Sequence, residues 1–313
     1  MVRLFLVGNP AAVLMIPLLI LGYDFLWIHT TPSYAENSFG LIGNFSLSTS
    51  FSMVLANALV ASNSLLMNRL FNLNSFLEKT TFLPSLIYII SCSFFDLIFT
   101  FDAYLIVHFL LLNLLHHLLK LSLNETDKSN LFNAFFLLGC CIVFLPKILF
   151  IAPLFLILLS RFMILRIKDY LILLTAFIIP LLYVLTYRFV IYDDVDIFQW
   201  FVFSIRFTSE NIKLFLIALV LFIVSMVAVF QQIKNSNINL KRKLQSTILF
   251  GFILLLNFLL FDSDDNNYEK ISFFYIPFSV LLTFTFLHKP FALIATSMFY
   301  LVILFSLLKF FII

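Results

Sequence analysis

The sequence predicts an all-α protein: a polytopic bundle of membrane-spanning helices, N-terminus inside the cell and C-terminus outside. Three observations carry that expectation. First, 63% of the 313 residues are apolar and only 11% are charged, where a soluble domain carries roughly 45–50% and about 25%. So few charges cannot clothe a water-soluble body, which excludes a soluble enzyme, a nucleic-acid-binding domain and a disordered chain. Second, the apolar residues form continuous runs, not the alternation of a transmembrane barrel strand. Third, the charges between the runs segregate by side. Residues 1–313 read as a single integral membrane domain with short loops.

A spanning helix needs about 20 mostly apolar residues. The first is expected over Ala11–Ile28, with Pro10 at its start, where a missing N–H costs nothing. Arg3 and this run have the outline of a signal peptide, with Ser33-Tyr34-Ala35 as a loose cleavage site. That site lies too far beyond the apolar core, so an uncleaved helix is expected. Spans follow at Leu47–Met67, Phe82–Ile98 and Ala103–Leu121. Leu131–Leu145 and Ile148–Ser160 are short and joined by Pro146-Lys147; they read as two crossings or as one re-entrant hairpin. The remaining spans are Tyr170–Phe189, Leu214–Gln231, Gln245–Phe261, Ile271–Leu287 and Phe291–Phe310. The count is eleven, or nine with the hairpin. Ile197–Phe203 mixes aromatics with neighbouring acids, so an interfacial helix is expected within residues 191–212, with Trp200 at headgroup depth.

With the N-terminus in the cytoplasm, the inner loops hold thirteen bases and four acids, and the outer loops six bases and twelve acids. That is +9 inside against −6 outside, as the positive-inside rule requires. One missed or invented span would scramble the split.

The outer acids are the most informative residues. Asp24 lies at the outer end of the first span, Glu36 in the first outer loop, and Asp96 and Asp102 bracket the turn between the third and fourth spans. A carboxylate bordering hydrocarbon costs at least about 2.5–3.5 kcal/mol unless it is paired or wet. Asp24, Glu36 and Asp102 read either as interfacial acids or as carboxylates of a common outward cavity, poised as bases. Lys147, Arg188, Arg206 and Lys213 stand on a face where orientation rules disfavour cations. They either pair with loop acids such as Asp193, Asp194, Asp196 and Glu210, or hold a phosphate, which an arginine does bidentately.

Other polar residues read as structural. His108 is expected to be a hydrogen-bonded bundle residue, and His116 and His117 interfacial ones. Asp193–Asp196 and Asp262–Asp265 lack the glycine and glutamate of a calcium loop. Cys92, Cys140 and Cys141 sit in apolar runs without metal-ligand spacing. No metal or cofactor is expected. Six glycines offer no GxxxG seam, so helices are expected to pack through bulky side chains at larger separations. There is no P-loop, GxSxG, HExxH or potassium-filter sequence.

Asn130-Leu-Phe-Asn-Ala-Phe-Phe-Leu-Leu-Gly139, followed by Phe144-Leu-Pro-Lys-Ile-Leu-Phe150, resembles a family of uncharacterised multi-pass membrane proteins from Bacteroidota. Asn63-Ser-Leu-Leu-Met-Asn-Arg-Leu-Phe-Asn72 is similar to that family's connector between second and third spans. The resemblance covers residues 50–190 and implies a bacterial inner (cytoplasmic) membrane, with no catalytic assignment. The architecture also resembles the GT-C superfamily of integral-membrane glycosyltransferases: an N-inside start, an acid in or near the first outer loop, and a tight outer turn between third and fourth spans. That resemblance implies sugar transfer from a polyprenyl-phosphate donor at the outer leaflet, serving cell-envelope glycan assembly. Asp24 or Glu36 would act as base with Asp102 in support, and Arg188, Lys147 and Arg206 would hold the donor phosphate. The first outer loop is shorter than in many members, and no large outer domain follows. The alternatives are a non-catalytic membrane subunit scaffolding an envelope or secretion complex, or a transporter or flippase. The expected partners are membrane lipids, a polyprenyl-phosphate lipid and other membrane proteins, not nucleic acid.

Overall fold

The computed structural model describes residues 5, 8–28, 36–94, 97–121, 127–159, 166–193, 209–260 and 272–287, together with 293, 296, 297, 299, 300, 303, 304 and 307. These residues are all-α apart from one short hairpin. The helices are α1 (Ala11–Ile28), α2 (Thr49–Leu73), α3 (Leu83–Phe94), α4 (Ala103–Lys120), α5 (Lys128–Phe144), α6 (Ala152–Leu159), α7 (Ile167–Tyr192), α8 (Ser209–Asn235), α9 (Ile238–Leu260) and α10 (Tyr275–Leu287). The strands β1 (Glu36–Ser38) and β2 (Asn44–Ser46) pair antiparallel around a 3₁₀ turn at Gly40–Ile42. Among the described residues α2, α4 and α7 are long and apolar enough to cross a membrane, which associates the protein with a lipid bilayer. The expected interfacial helix falls mostly on residues 194–208, outside the described set, as do Asp96, Asp194, Asp196, Trp200, Arg206 and the Asp262–Asp265 loop.

Helix ends follow local chemistry. Asn9 ahead of α1 accepts a hydrogen bond from the Ala11 N–H at 3.0 Å through its side chain, so α1 occupies the expected apolar run. Asp102 caps α4 by accepting from the Leu105 N–H at 3.0 Å. Asp169 in the first turn of α7 accepts from the Arg166 N–H at 2.9 Å, and α7 stops at Asp193, whose φ of 51° is left-handed. α2 continues six residues past its apolar run, to Leu73. Its polar end is satisfied by the tertiary structure: the Asn72 amide donates to the Thr81 carbonyl at 3.2 Å and accepts from the Thr81 N–H at 3.2 Å.

Contacts at the helix ends show that the first five helices alternate in direction. At one end the Phe5 carbonyl accepts from the Phe82 N–H at 2.8 Å and from the Thr81 hydroxyl at 3.1 Å. At the other, the hairpin end, Trp27 stacks on Phe99 with centroids 4.1 Å apart, and Phe39 packs on Phe101 at 5.6 Å. There the Ser52 hydroxyl accepts from the Phe101 N–H at 2.9 Å.

α2 is the polar spine of the bundle, its polar groups bonding to the helices on either side in sequence, α1 and α3. Asn57 reaches α1, Asn63 reaches Tyr88 on α3, and the Ser64 carbonyl accepts from Ser85 on α3. α5 lies between α4 and α7, while α10 packs on α3, α8 and α9.

The expectation of wide helix separations fails at one crossing. A Cβ on Gly139 of α5 would stand 2.6 Å from the Phe177 carbonyl oxygen and 3.1 Å from the Pro180 ring on α7. One glycine opposite one proline achieves the close approach without a repeated motif. A second contact of this kind lies at the hairpin end, where Gly40, at φ +60°, rests against the Phe144 carbonyl. No side chain fits there.

Candidate functional site

The hairpin end gathers most of the residues singled out from the sequence. Asp24 lies on the buried face of α1, one and two turns beyond Ile20 and Ile16, and is only 4% exposed. One carboxylate oxygen accepts from the Asn57 amide at 2.6 Å. The other, Oδ1, has no hydrogen-bond partner among the described residues, and neither does the Asn57 amide oxygen. One carboxylate oxygen is thus fixed by Asn57 and the other is buried without a hydrogen-bond partner among the described residues.

Asp102 is engaged differently. Its carboxylate caps α4, so its best acceptor is already used. Burial pushes its carboxyl up to about 6, against backbone N–H groups of Leu105, Tyr104 and Asp102 itself, which favour the charged form. A pKa raised in the fold means the folded protein holds the proton more tightly. This contribution to stability is therefore full below about pH 4 and is lost as pH rises through about 6. Asp102→Asn keeps the cap acceptor and is expected to abolish that pH dependence, while Asp102→Ala loses the cap and about 0.5–2 kcal/mol. Thermal unfolding in detergent across pH 4–7 reads both effects.

Arg188 on α7 is 8% exposed. Its guanidinium donates to the Leu41 carbonyl at 3.3 Å and lies 5.8 Å from the centre of the Tyr192 ring. It ties α7 to the turn of the hairpin. Lys147 is half-buried in the 3₁₀ segment Pro146–Ile151 that follows α5. The Glu36 backbone pairs with Ser46 in the hairpin. Arg206 lies outside the described residues. The hairpin and its 3₁₀ turn thus bring Glu36, Asp102, Arg188 and Lys147 to one end of the bundle, with Asp24 at the last turns of α1.

On another side of α1 from Asp24, α1 and α3 frame an open apolar cavity of about 220 Å³, lined by Leu18, Leu19, Gly22, Tyr23 and Ile90 and bounded by Ile303 and Leu307. Asp24 and Asp102 are not among its lining residues. Among the described residues no three His, Cys, Asp or Glu side chains converge.

A second polar constellation lies deeper. The Asn63 amide donates to the Tyr88 hydroxyl at 3.2 Å, Tyr88 meets His108 Nδ1 at 3.1 Å, and His108 Nε2 meets the Ser272 hydroxyl at 2.9 Å. Every member is at most 1% exposed. Tyr88 receives from Asn63 and meets Nδ1, and a neutral His108 donates from one ring nitrogen and accepts at the other, so it links Tyr88 to Ser272. His108 is thus the hydrogen-bonded bundle residue expected. Its partners were not legible, because α2, α3 and the turn before α10 meet only in the fold. Asn57 was missed for the same reason; an asparagine inside an apolar run was the available signal.

No protein-family model, curated protein or solved structure matches this chain.

Proposed function

We propose that the chain is a multi-pass protein of the bacterial inner membrane, with eleven crossings and a cytoplasmic N-terminus, that handles a lipid-linked substrate at the outer leaflet. The +9 against −6 charge split supports the orientation. The crossing count is supported by the turn at Leu145–Pro146: Phe144 abuts Gly40, and the neighbouring Leu41 bonds to Arg188 at the far end of α7. A turn at the level of Arg188, near the end of a 26-residue helix, favours two crossings over a re-entrant hairpin. Kinship with the Bacteroidota family belongs to the same proposal and rests on Asn63–Asn72 and Asn130–Phe150.

Within this reading the chemistry is glycosyl transfer of the GT-C type from a polyprenyl-phosphate donor, with Asp24 taking the proton of the acceptor hydroxyl. A single observation carries it: a carboxylate 4% exposed, held by Asn57 at one oxygen and left without a partner at the other among the described residues. The cavity between α1 and α3 offers apolar room along the second half of α1, on another side of that helix from Asp24. Asp102 serves as a helix cap, and Arg188 would have to exchange the Leu41 carbonyl for phosphate.

Asp24→Asn preserves shape and removes the base. In membranes supplied with labelled polyprenyl-phosphate sugar, it is expected to cut transfer by about 10²–10⁴-fold while the protein accumulates normally. Asp102→Asn is expected to retain transfer. Normal transfer by Asp24→Asn would remove the enzyme reading. The second reading is then a non-catalytic subunit of an envelope complex. It is favoured by the structural employment of Asp102 on α4 and of Arg188 on Leu41.

A further inference from the structure

The face of α7 turned away from α5 is a broad apolar surface. Leu173, Ala176 and Pro180 are buried, whereas Leu171, Leu174, Ile178 and Leu182 on the opposite side are 37–60% exposed. An exposed stripe of this kind has three available occupants: water, a second copy of the chain, or lipid. Water is excluded by cost, because four large aliphatic side chains are left bare over three turns.

The ends of the helix separate the other two. Tyr170 is exposed toward the start of α7, and Tyr183 and Tyr187 toward its end, the last two on the side of Ala176 and Pro180 beyond the reach of α5. At about 1.5 Å per residue, Tyr170 and Tyr187 stand roughly 25 Å apart along the axis, close to the hydrocarbon thickness of about 30 Å. Exposed Arg166 and Lys168 lie just before Tyr170, and Asp193 just after Tyr192. Tyrosines with apolar rings and polar tips settle at both interfaces of a bilayer, and bases settle on its cytoplasmic side. A protein partner would require neither the paired aromatic belts nor their spacing.

We propose that this face of α7 is a lipid wall of the protein. The aliphatic stripe contacts acyl chains, the tyrosines toward the two ends of α7 mark the depth of the two headgroup layers, and Arg166 and Lys168 engage anionic headgroups of the cytoplasmic leaflet. The assignment rests on the membrane reading above and adds the depth, direction and lipid class along one helix.

The test uses the full chain in vesicles, with Trp27→Phe and Trp200→Phe to remove the native tryptophans and one new tryptophan at a time. Ile178→Trp is expected to lose most of its fluorescence to lipids brominated at mid-chain. Tyr170→Trp and Tyr187→Trp are expected to respond most to bromines near the headgroup. Phosphatidylglycerol carrying a headgroup-proximal spin label should quench Tyr170→Trp more than the phosphatidylcholine analogue does, and Arg166→Gln with Lys168→Gln should erase that difference. If Ile178→Trp escapes every brominated lipid and Ile178→Cys cross-links to a second copy, the face is an interface between copies. That overturns the lipid wall and leaves the membrane reading standing. If aqueous acrylamide quenches Ile178→Trp, both fall.

Discussion

Gly139→Leu is expected to strip α7 from the rest of the bundle. At Gly139 the α5 backbone approaches α7 so closely that even a methyl group would press on the Phe177 carbonyl, at 2.6 Å. A carbonyl within a helix cannot swing aside as a flexible side chain can. Pro180, 3.1 Å from the same point, is rigid as well. Gly139→Ala should therefore cost about 1–3 kcal/mol, and leucine should exceed what the contact can absorb. Among the described residues α5 is the principal support of α7, with the hairpin turn assisting it through Leu41 and Arg188. The effect should consequently concentrate on one helix. Hydrogen exchange in detergent is expected to show α7 amides losing protection in Gly139→Leu while α2, α3 and α4 keep theirs. Unchanged α7 protection would mean that the close crossing does not hold the helix.

His108→Leu is the second large expected loss. It fills similar space but breaks a buried chain in its middle, taking the His108 contact from both the Tyr88 hydroxyl and Ser272. Each buried polar group that loses a partner in this way costs up to about 1–3 kcal/mol in a water-referenced fold. Where the unfolded helices stay in lipid and find other partners, the average is nearer 0.6 kcal/mol per bond, as a rough figure. A combined loss of about 2 kcal/mol is expected, read as a lowered unfolding midpoint. Tyr88→Phe should cost a similar amount, because it takes the hydroxyl from both the Asn63 amide and His108 Nδ1 while His108 keeps Ser272. The double variant should cost less than the sum of the two, with a coupling of about 0.5–3 kcal/mol. Strict additivity would show that Tyr88 and His108 do not act as one network.

The parts of this fold legible in the sequence are those governed by local rules. α1 fills Ala11–Ile28 because Asn9 and Pro10 set its start and its apolar run sets its length. The parts that were not legible depend on pairings between distant segments. Asn68 and Asn72 looked like the polar end of a span, yet α2 runs on to Leu73 because Thr81 satisfies Asn72. The cost of burying Asp24 was readable from its apolar surroundings; that Asn57 would meet it 33 residues later was not. Arg188 was recognisably a cation needing a reason, and the reason is a backbone carbonyl of the hairpin turn, a group that no side-chain pattern records. Gly139 carried no signal alone, since its role depends on Pro180 lying opposite.

The account rests most heavily on membrane orientation, because every assignment to an outer face follows from it. The most direct measurement is a pair of reporter fusions. One is placed at Lys241 in the basic strip at the start of α9, the other at Asp264 in the acidic segment beyond that helix. A reporter that works only in the cytoplasm should be active at Lys241 and silent at Asp264, and one that works only outside should give the opposite pattern. Activity on the same side at both points would mean that α9 does not cross. A full reversal would place Asp24, Arg188 and the hairpin in the cytoplasm, contradicting the proposed site.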